Sequence, residues 1–431
     1  KPSVLLVSID AVKPEIVFNS EKHGIKLPTL KKMMEEGTYV SEGVKSVFPS
    51  WTYCCHQSII TGTYPATHGI HANKIFDPTG KHFDAWYWFV SDKVPNLWSY
   101  AKENDYLSVN IGFPTSVLAE TDYNIPEYWR DTTELDSKIL DSISYPQGLA
   151  REVEEALGTN IPCGLWDLED DHTKLNTCVW MLENKIKPHL EEKPFFMTTY
   201  FASYDDLAHY EGTYGKKALY YLEKTDEYLG KLIEKAKEIT DDNIIICVIS
   251  DHGMLDNVAD VRPNTLFYRE GLITLDEKDN VVDWEVWCQR AGGAGYIKLK
   301  DPSNNNVREK VEKIISSLLQ DESSGIVEVM TGDEAREKRK GLSEADYVLL
   351  SKPGYEFRED VHGEFLKTEV SQKAQHGYSE ELDDMKAIFF IEGPNIEKNK
   401  DIFSFNLVDI APTLAHLMGF EMETAEGKNV L

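Results

Sequence analysis

The chain has 431 residues and a formal net charge of −29, from 45 lysines and arginines against 74 aspartates and glutamates. So acidic a surface repels phosphate, which excludes a general nucleic-acid-binding surface and means that any phosphate chemistry needs local positive charge. A composition that is 41% hydrophobic and 28% charged is typical of a globular protein and excludes a disordered or collagen-like chain. No apolar run approaches the roughly 20 residues that a membrane-spanning helix needs.

The cysteines and the N-terminal residues bear on the compartment. Six cysteines in 431 residues are too few for a disulfide scaffold. The first ten residues, KPSVLLVSID, are too short and wrongly flanked for a signal peptide. We therefore expect a cytoplasmic location; because the chain starts at Lys1 without an initiator methionine, a leader removed upstream stays an open alternative.

Apolar, β-branched runs alternate with helical patterns along the chain. The runs, which predict strands buried on both faces, cover residues 3–9, 106–111, 195–201, 244–250 and 387–391. The helical patterns cover residues 27–37, 96–105, 214–239 and 409–419. This alternation predicts an α/β fold with a mostly parallel central sheet and helices on both faces.

Two stretches interrupt the alternation. Residues 76–180 are rich in aromatics and loops, and residues 255–385 separate the fourth apolar run from the fifth. We interpret both as insertions that cap one domain spanning residues 1–431. The aromatic stretch at 82–92 either lines a pocket or packs the first insertion, and packing is the default expectation.

Polar side chains follow three of the predicted strands at their carboxyl ends. Asp10 follows the first, Asp205 lies four residues past the third, and Asp251 and His252 follow the fourth. Ligand sites in parallel sheets form at this edge. His209 shares a helix face with Asp205 at i+4, and the pair is a metal half-site, although such pairs also arise by chance on surfaces.

The segment VFPSWTYCCHQSIITGTYPATHGIHAN, residues 47–73, carries the candidate nucleophile. Thr52 lies between Pro49 and a helical pattern, which predicts a threonine at a helix N-terminus. Unpaired N–H groups there stabilise an alkoxide or a phosphate. A threonine hydroxyl is a poor nucleophile unless a metal or a base lowers its pKa. The alternative is that Ser50 or Thr52 is simply the helix cap.

A histidine near the end of the chain completes the candidate ligands. His376 precedes the last apolar run by about ten residues. His362, which is also followed by glycine, is its rival. We favour His376 because it lies closer to the sheet.

These motifs, in this order, resemble the nucleotide pyrophosphatase/phosphodiesterase branch of the alkaline phosphatase superfamily. The resemblance rests on Asp10, on T-x-x-x-H-x-S-I-x-T-G-x-Y-P-x-x-H-G-I from Thr52, on Y-x-x-x-x-D-x-x-x-H ending at His209, on S-D-H-G-M at 250–254 and on H-G at His376. It implies an alkaline-phosphatase-like fold. It also implies a hydrolase that cleaves nucleotide-type phosphodiester or pyrophosphate bonds through a covalent phosphothreonine intermediate.

The resemblance further implies two zinc ions. One would be bound by Asp205, His209 and His376, and the other by Asp10, Thr52, Asp251 and His252. Nitrogen and oxygen ligands of this kind suit zinc, and paired ions stabilise both the attacking and the leaving oxygen of a displacement.

Four other positions match or depart from the family pattern. Asn73 would donate a hydrogen bond to a phosphoryl oxygen, and Tyr53 and Tyr200 would flank the nucleoside group. Both tyrosines also fit a core role, and Tyr200 lies inside an apolar run. Ala11 follows Asp10 where the family usually has glycine.

The distribution of arginines bears on the substrate. The first arginine in the chain is Arg130, so the segment with Asp10, Thr52 and Asn73 offers no guanidinium for a dianionic monoester. This absence favours a small-molecule phosphodiester, with an arginine from later in the chain as the open alternative. The rival hypotheses are a zinc hydrolase of phosphonoacetate or glycerophosphodiesters and a catalytically silent binding protein.

Overall fold

A computed structural model of the protein describes residues 1–82, 85–130, 137–161, 168–341 and 344–431. The strands within these ranges are β1 (Ser3–Ile9), β2 (Thr38–Tyr39), β3 (Leu107–Ile111), β4 (Tyr123–Ile125), β5 (Phe195–Phe201), β6 (Ile244–Ile249), β7 (Leu255–Asp256), β8 (Ala259–Val261), β9 (Ile273–Leu275), β10 (Val281–Trp284), β11 (Val286–Ala291), β12 (Ala294–Leu299), β13 (Ile326–Thr331), β14 (Tyr347–Ser351), β15 (Tyr355–Phe357), β16 (Leu366–Lys367), β17 (Ala374–Gln375), β18 (Phe389–Glu392) and β19 (Lys400–Asp401). The α-helices are α1 (Pro14–Phe18), α2 (Pro28–Glu36), α3 (Thr52–Thr61), α4 (Pro65–His68), α5 (Leu97–Glu103), α6 (Ser137–Ile143), α7 (Leu149–Leu157), α8 (Leu168–Met181), α9 (Ser203–Glu211), α10 (Lys216–Thr240), α11 (Pro263–Arg269), α12 (Asn305–Gln320), α13 (Gly332–Arg339) and α14 (Ile410–Met418).

The central sheet has eight strands in the order β19-β2-β18-β6-β1-β5-β3-β4. Five adjacent strands, β6, β1, β5, β3 and β4, are parallel to one another, whereas β18 pairs antiparallel with β6. In β1, β5 and β6 every residue is buried, as their apolar runs predict. The five predicted strands therefore form one mostly parallel sheet.

Helices cover both faces of this sheet. Alternate residues of β1 point to opposite sides: Leu5 packs in a core with Leu222 of α10, and Leu6 packs in a second core with Leu414 of α14. This alternation follows from the two-residue period of a strand. The predicted α/β class, with helices on both faces, is confirmed. Across the part of the chain that the structure describes, no helix is long and apolar enough to cross a membrane.

The predicted second insertion, residues 255–385, forms a smaller unit beside the sheet. Its main element is an antiparallel sheet in the order β11-β12-β14-β13, packed against α12. This unit has its own apolar core, which includes Ile297, Val311 and Leu349.

The predicted first insertion, residues 76–180, is too broad. Strands β3 and β4 lie in this range, yet they form one edge of the central sheet. Trp98 of α5 and Leu175 of α8 pack into its two cores. The run at 106–111 predicts β3, whereas β4 has only 3 residues and produces no apolar run in the sequence.

Candidate metal centre and substrate cavity

Three adjacent strands deliver the carboxylates of the site. Because β6, β1 and β5 are neighbours and parallel, their carboxyl ends meet at one edge of the sheet. Asp10 and Asp251 follow β1 and β6 within two residues, and Asp205 lies in the first turn of α9, just after β5. The sheet therefore brings to one place three aspartates, the first and last of which are 241 residues apart in the chain.

The first candidate metal group consists of Asp205, His209 and His376. Their ligand atoms lie within 4.8 Å of one another. Nε2 of His209 is 3.3 Å from one Asp205 carboxylate oxygen, and Nε2 of His376 is 3.8 Å from the other. His362, the rival candidate, is instead an exposed residue beside Asp279.

The second candidate group consists of Asp10, Asp251 and His252, again with ligand atoms within 4.8 Å of one another. Nε2 of His252 lies 3.0 Å from Asp251 and 3.5 Å from Asp10. The Thr52 hydroxyl lies 3.3 Å from the same Nε2. The two groups adjoin, because the rings of His252 and His376 stack with centroids 3.7 Å apart.

The three histidines are oriented in the same way. Their Nδ1 atoms lie 2.9 Å from the backbone carbonyls of Ala374, Ser50 and Gly253, for His209, His376 and His252 respectively. Because a carbonyl only accepts, each Nδ1 must donate, so in the neutral imidazole it is Nε2, the nitrogen nearest the carboxylates, that offers a lone pair to a cation. This outer hydrogen bond is the usual partner of a metal-binding histidine.

Each of the three aspartates has a buried carboxylate oxygen without a hydrogen-bond partner among the described residues: Oδ1 of Asp10, Oδ1 of Asp205 and Oδ2 of Asp251. Burial and the charges of Asp205 and Asp251 raise the pKa of Asp10 well above its usual value. Burial also raises the pKa of Asp251, but His252 and His56 outweigh it and lower that pKa to about 2. Unpaired buried carboxylate oxygens beside imidazole nitrogens fit divalent cations.

Thr52 is the first residue of the fully buried helix α3, as predicted. The residue before the helix is Trp51, with no side-chain cap, and the Ser50 hydroxyl donates to the Tyr378 carbonyl. The Thr52 hydroxyl is therefore free of a capping role. The Tyr53 N–H donates to Oδ1 of Asn73 at 3.0 Å, which fixes the Asn73 amide at the helix N-terminus.

The structure does not support a substrate contact for Tyr200. Its side chain is fully buried on β5, and its hydroxyl donates to Asp10. The residue lies behind a candidate ligand rather than in the cavity, because its place inside an apolar strand directs it into the core beside β1.

A cavity of about 650 Å³ lies over Thr52. One side is aromatic: the ring of Trp86 lies 5.6 Å from that of Tyr53 and 5.9 Å from that of Trp129. The Tyr53 hydroxyl donates to the buried Glu127 at 2.7 Å, and burial raises the pKa of Glu127 to about 7. The default expectation of packing is thus wrong for Trp86; Phe83 and Asp84 of the same stretch lie outside the described residues.

Two arginines line the cavity, as in the alternative in which an arginine from later in the chain reaches the site. Arg290 belongs to β11, and Arg358 follows β15. Trp86, Trp129 and these arginines were missed because nothing local in the sequence ties them to Thr52. The aromatic composition at 82–92 was the one available signal, and it fits packing equally well.

A glycine pair seats the second insertion against the metal centre. Gly292 and Gly293 form the turn between β11 and β12, and the N–H of Gly293 donates to the His376 carbonyl at 3.1 Å. A Cβ on Gly292 would lie 1.8 Å from that carbonyl oxygen. Only glycine permits this approach, which places Arg290 two residues away from the contact.

The chain is similar to known proteins over most of its length. A family model described as type I phosphodiesterase / nucleotide pyrophosphatase matches residues 4–379. The chain is 26% identical over 429 residues to bis(5′-adenosyl)-triphosphatase of Pongo abelii, which covers 99% of this chain and 80% of that protein. It is 25% identical over 264 residues to ectonucleotide pyrophosphatase/phosphodiesterase family member 1 of Mus musculus, covering 59% of this chain and 24% of that protein.

The fold is similar to that of solved structures. Murine ectonucleotide pyrophosphatase/phosphodiesterase 5 superposes with a TM-score of 0.69 at 19% identity, over 99% of this chain and 97% of that chain. An inactive threonine-to-alanine variant of the same protein, in complex with AMP, superposes with a TM-score of 0.69 at 19% identity, over 99% and 98% of the two chains. These likenesses confirm the predicted fold class.

Proposed function

The chain belongs to the type I phosphodiesterase / nucleotide pyrophosphatase family and is therefore a hydrolase of phosphodiester or pyrophosphate bonds. We propose that it acts on nucleotides and that it uses two zinc ions and Thr52 as the nucleophile. The observation that carries the proposal is the pair of adjoining Asp/His groups with unpaired buried carboxylate oxygens beside the Thr52 hydroxyl.

The proposed ligands divide between the two ions. Asp205, His209 and His376 hold one ion, and the remaining ligands hold the other: Asp10, Thr52, Asp251 and His252. Bound zinc supplies positive charge that favours the threonine alkoxide and offsets the charge of the phosphoryl group. Three aspartates and one alkoxide balance the charge of two Zn²⁺ ions.

In the proposed reaction, Oγ of Thr52 attacks phosphorus and the bond to the leaving oxygen breaks, which leaves a phosphothreonine carrying the nucleotidyl group. Water then hydrolyses this ester. The N-terminus of α3 places backbone N–H groups beside the reacting phosphate. Because the Asn73 carbonyl oxygen accepts the Tyr53 N–H, its amide N–H₂ is left to donate to a phosphoryl oxygen.

The aromatic side of the cavity supports a nucleotide as the substrate. Tyr53 and Trp86 both line the cavity, and Trp86, the more exposed of the two, offers a ring face on which a nucleobase stacks. A relative named as a bis(5′-adenosyl)-triphosphatase and the AMP complex of the inactive threonine variant support the same class of substrate and the same nucleophile.

The test compares hydrolysis of p-nitrophenyl thymidine 5′-monophosphate with that of p-nitrophenyl phosphate. We expect a preference for the diester, loss of turnover on chelation and recovery with zinc. Thr52→Ala should lower turnover by about 10³-fold or more, because no other group replaces the nucleophile. Thr240→Ala, at the end of α10, is the matched control and should retain turnover.

Two outcomes contradict the proposal in different ways. Full activity in Thr52→Ala would overturn the nucleophile. Preference for the monoester, or no turnover of either substrate, would overturn the nucleotide assignment and redirect the search to phosphonoacetate or glycerophosphodiesters.

A further inference from the structure

Arg290 lies at the cavity wall, one aromatic ring away from the metal centre. Its guanidinium carbon is 5.9 Å from the centroid of the Trp51 ring. The same ring also contacts the imidazole of His376, with 4.5 Å between the ring centroids. The docked glycine turn after β11 fixes the backbone at this point. The guanidinium is therefore held at a fixed place near the reacting groups without being a candidate ligand.

A buried carboxylate orients this guanidinium. Glu356 is fully buried, and its Oε1 accepts from Nη2 of Arg290 at 2.5 Å and from Nη1 of Arg358 at 3.4 Å. The same oxygen accepts from the amide of Gln375 at 2.9 Å, the residue before His376. Glu356 thus links both arginines through hydrogen bonds to β17, the strand that His376 directly follows.

The guanidinium of Arg290 retains donor capacity in the cavity. Nη2 donates to Glu356 and Gln372, whereas Nη1 has no acceptor among the described residues, and 27% of the side chain is exposed. Nε is buried and also lacks a partner within those residues. Glu356 pairs with both guanidiniums, and Arg358 has a second carboxylate, Asp360, at 4.0 Å, so it is Arg290 that keeps donors for an anion that enters the cavity.

We infer that Arg290 determines specificity by binding the leaving group when that group is a phosphate or polyphosphate. The inference rests on the proposed function and deepens it, because it favours a nucleoside polyphosphate over an ester of a neutral or cationic alcohol. With a nucleoside triphosphate, the Thr52 Oγ–P bond forms and the P–O bond to pyrophosphate breaks. The bonding pair leaves with the pyrophosphate oxygen, and the Thr52 proton goes to solvent. Water then releases the nucleoside monophosphate from Thr52.

Two substrates with the same nucleotidyl group test the inference. Thymidine 5′-triphosphate releases pyrophosphate, and p-nitrophenyl thymidine 5′-monophosphate releases p-nitrophenolate. In Arg290→Gln, the ratio of kcat/KM for the triphosphate to that for the nitrophenyl ester should fall by about 10- to 100-fold, because a charge-assisted hydrogen bond is lost only with the first. Arg290→Lys keeps the charge without the fork and should give an intermediate ratio.

Arg308→Gln is the matched control. Arg308 lies on α12 of the same insertion, bound to Asp346 and Tyr347, and should leave the ratio unchanged. An unchanged ratio in Arg290→Gln, or an equal loss with both substrates, would overturn the inference.

A binding measurement separates failure of this inference from failure of the proposed function. Calorimetric titration of thymidine 5′-triphosphate into the Thr52→Ala chain reports affinity without turnover. Adding Arg290→Gln should weaken this binding by about 10-fold or more, and should not weaken binding of thymidine 5′-monophosphate to the same extent. Equal affinities with and without Arg290 overturn the inference, whereas absence of turnover in the unaltered chain overturns the proposed function.

Discussion

The metal groups and the cavity wall face the same space but are built differently. Asp10, Asp251 and His252 are fully buried and directly follow strands of the central sheet. Arg290 and Arg358 come from the second insertion and keep 27% and 23% of their side chains exposed. The first region rests on a hydrogen-bonded ladder of parallel strands, and the second on contacts between segments far apart in the chain.

This difference separates the proposed chemistry from the proposed specificity. Neighbouring parallel strands end at the same edge of the sheet, so the residues that follow them lie close together regardless of the sequences of the loops. The wall depends on where an insertion docks and which long side chains it carries. We expect changes at the sheet edge to remove the reaction, and changes at the wall to alter which leaving group is accepted.

The largest expected effect comes from Asp10→Asn, which removes a candidate metal ligand at the carboxyl edge of the central sheet. Turnover should fall by more than the roughly 100-fold that loss of an outer hydrogen-bond partner causes. Without metal, however, the variant should be more stable, because it removes a carboxyl group whose ionisation is disfavoured by burial and by the charges of Asp205 and Asp251. Metal content, turnover and thermal midpoints in chelator measure these effects.

The pH dependence of this stabilisation has a fixed sign. The folded-state pKa of Asp10 is raised above its unfolded value, so its ionisation destabilises the metal-free fold as pH rises. The gain from Asp10→Asn should therefore grow from pH 5 to pH 8. Asp226→Asn is the control, since this buried carboxylate accepts the N–H groups of Thr29 and Leu30. That control should leave metal content and turnover unchanged, and a loss of stability in metal-free Asp10→Asn would contradict the charge argument.

A smaller effect is expected where the two regions meet. In Gly292→Ala the new Cβ would lie 1.8 Å from the His376 carbonyl oxygen and 2.5 Å from the Trp51 ring. We expect a loss of stability of more than about 2 kcal/mol and weaker metal binding, because His376 must shift. Thermal midpoints and metal titrations measure both.

The matched control for this variant is Gly271→Ala. Gly271 has a similar backbone, with φ of +72° against +67° for Gly292, but nothing lies within 4 Å of its would-be Cβ. Its variant should lose only the backbone contribution, about 1 kcal/mol. If the two alanine variants behave alike, the close approach at His376 has no role in holding the insertion.

The smallest expected effect concerns strain at the sheet edge. Ala11 has φ of +62°, in the left-handed region, and its N–H donates to Asp251 at 3.2 Å. Ala11→Gly should stabilise the chain by about 0.5–1 kcal/mol, since glycine adopts this conformation without a steric penalty. Chemical denaturation measures the change. A destabilised Ala11→Gly would mean that the Ala11 methyl group contributes more by packing than its backbone strain removes.

The structure brings together the predicted site residues that follow strands, whereas the sequence analysis missed cavity residues whose position depends on how an insertion docks. Asp10, Asp205 and Asp251 come together because their positions after three apolar runs become positions at one sheet edge. Tyr200 was assigned to the substrate although it lies inside such a run, and its hydroxyl instead contacts Asp10. Arg290 carries no local pattern, because it reaches the cavity only through the glycine turn that follows it.

What the sequence determined by itself is the α/β class, the mostly parallel sheet of apolar strands and the position of polar residues after three of them, because burial period and strand ends are local properties. The tertiary structure decided that β4 belongs to the central sheet, that His376 rather than His362 joins Asp205, and that Trp86 and Arg290 line the cavity over Thr52. These outcomes depend on contacts between residues that are far apart in the sequence, and such contacts produce no periodic pattern in it.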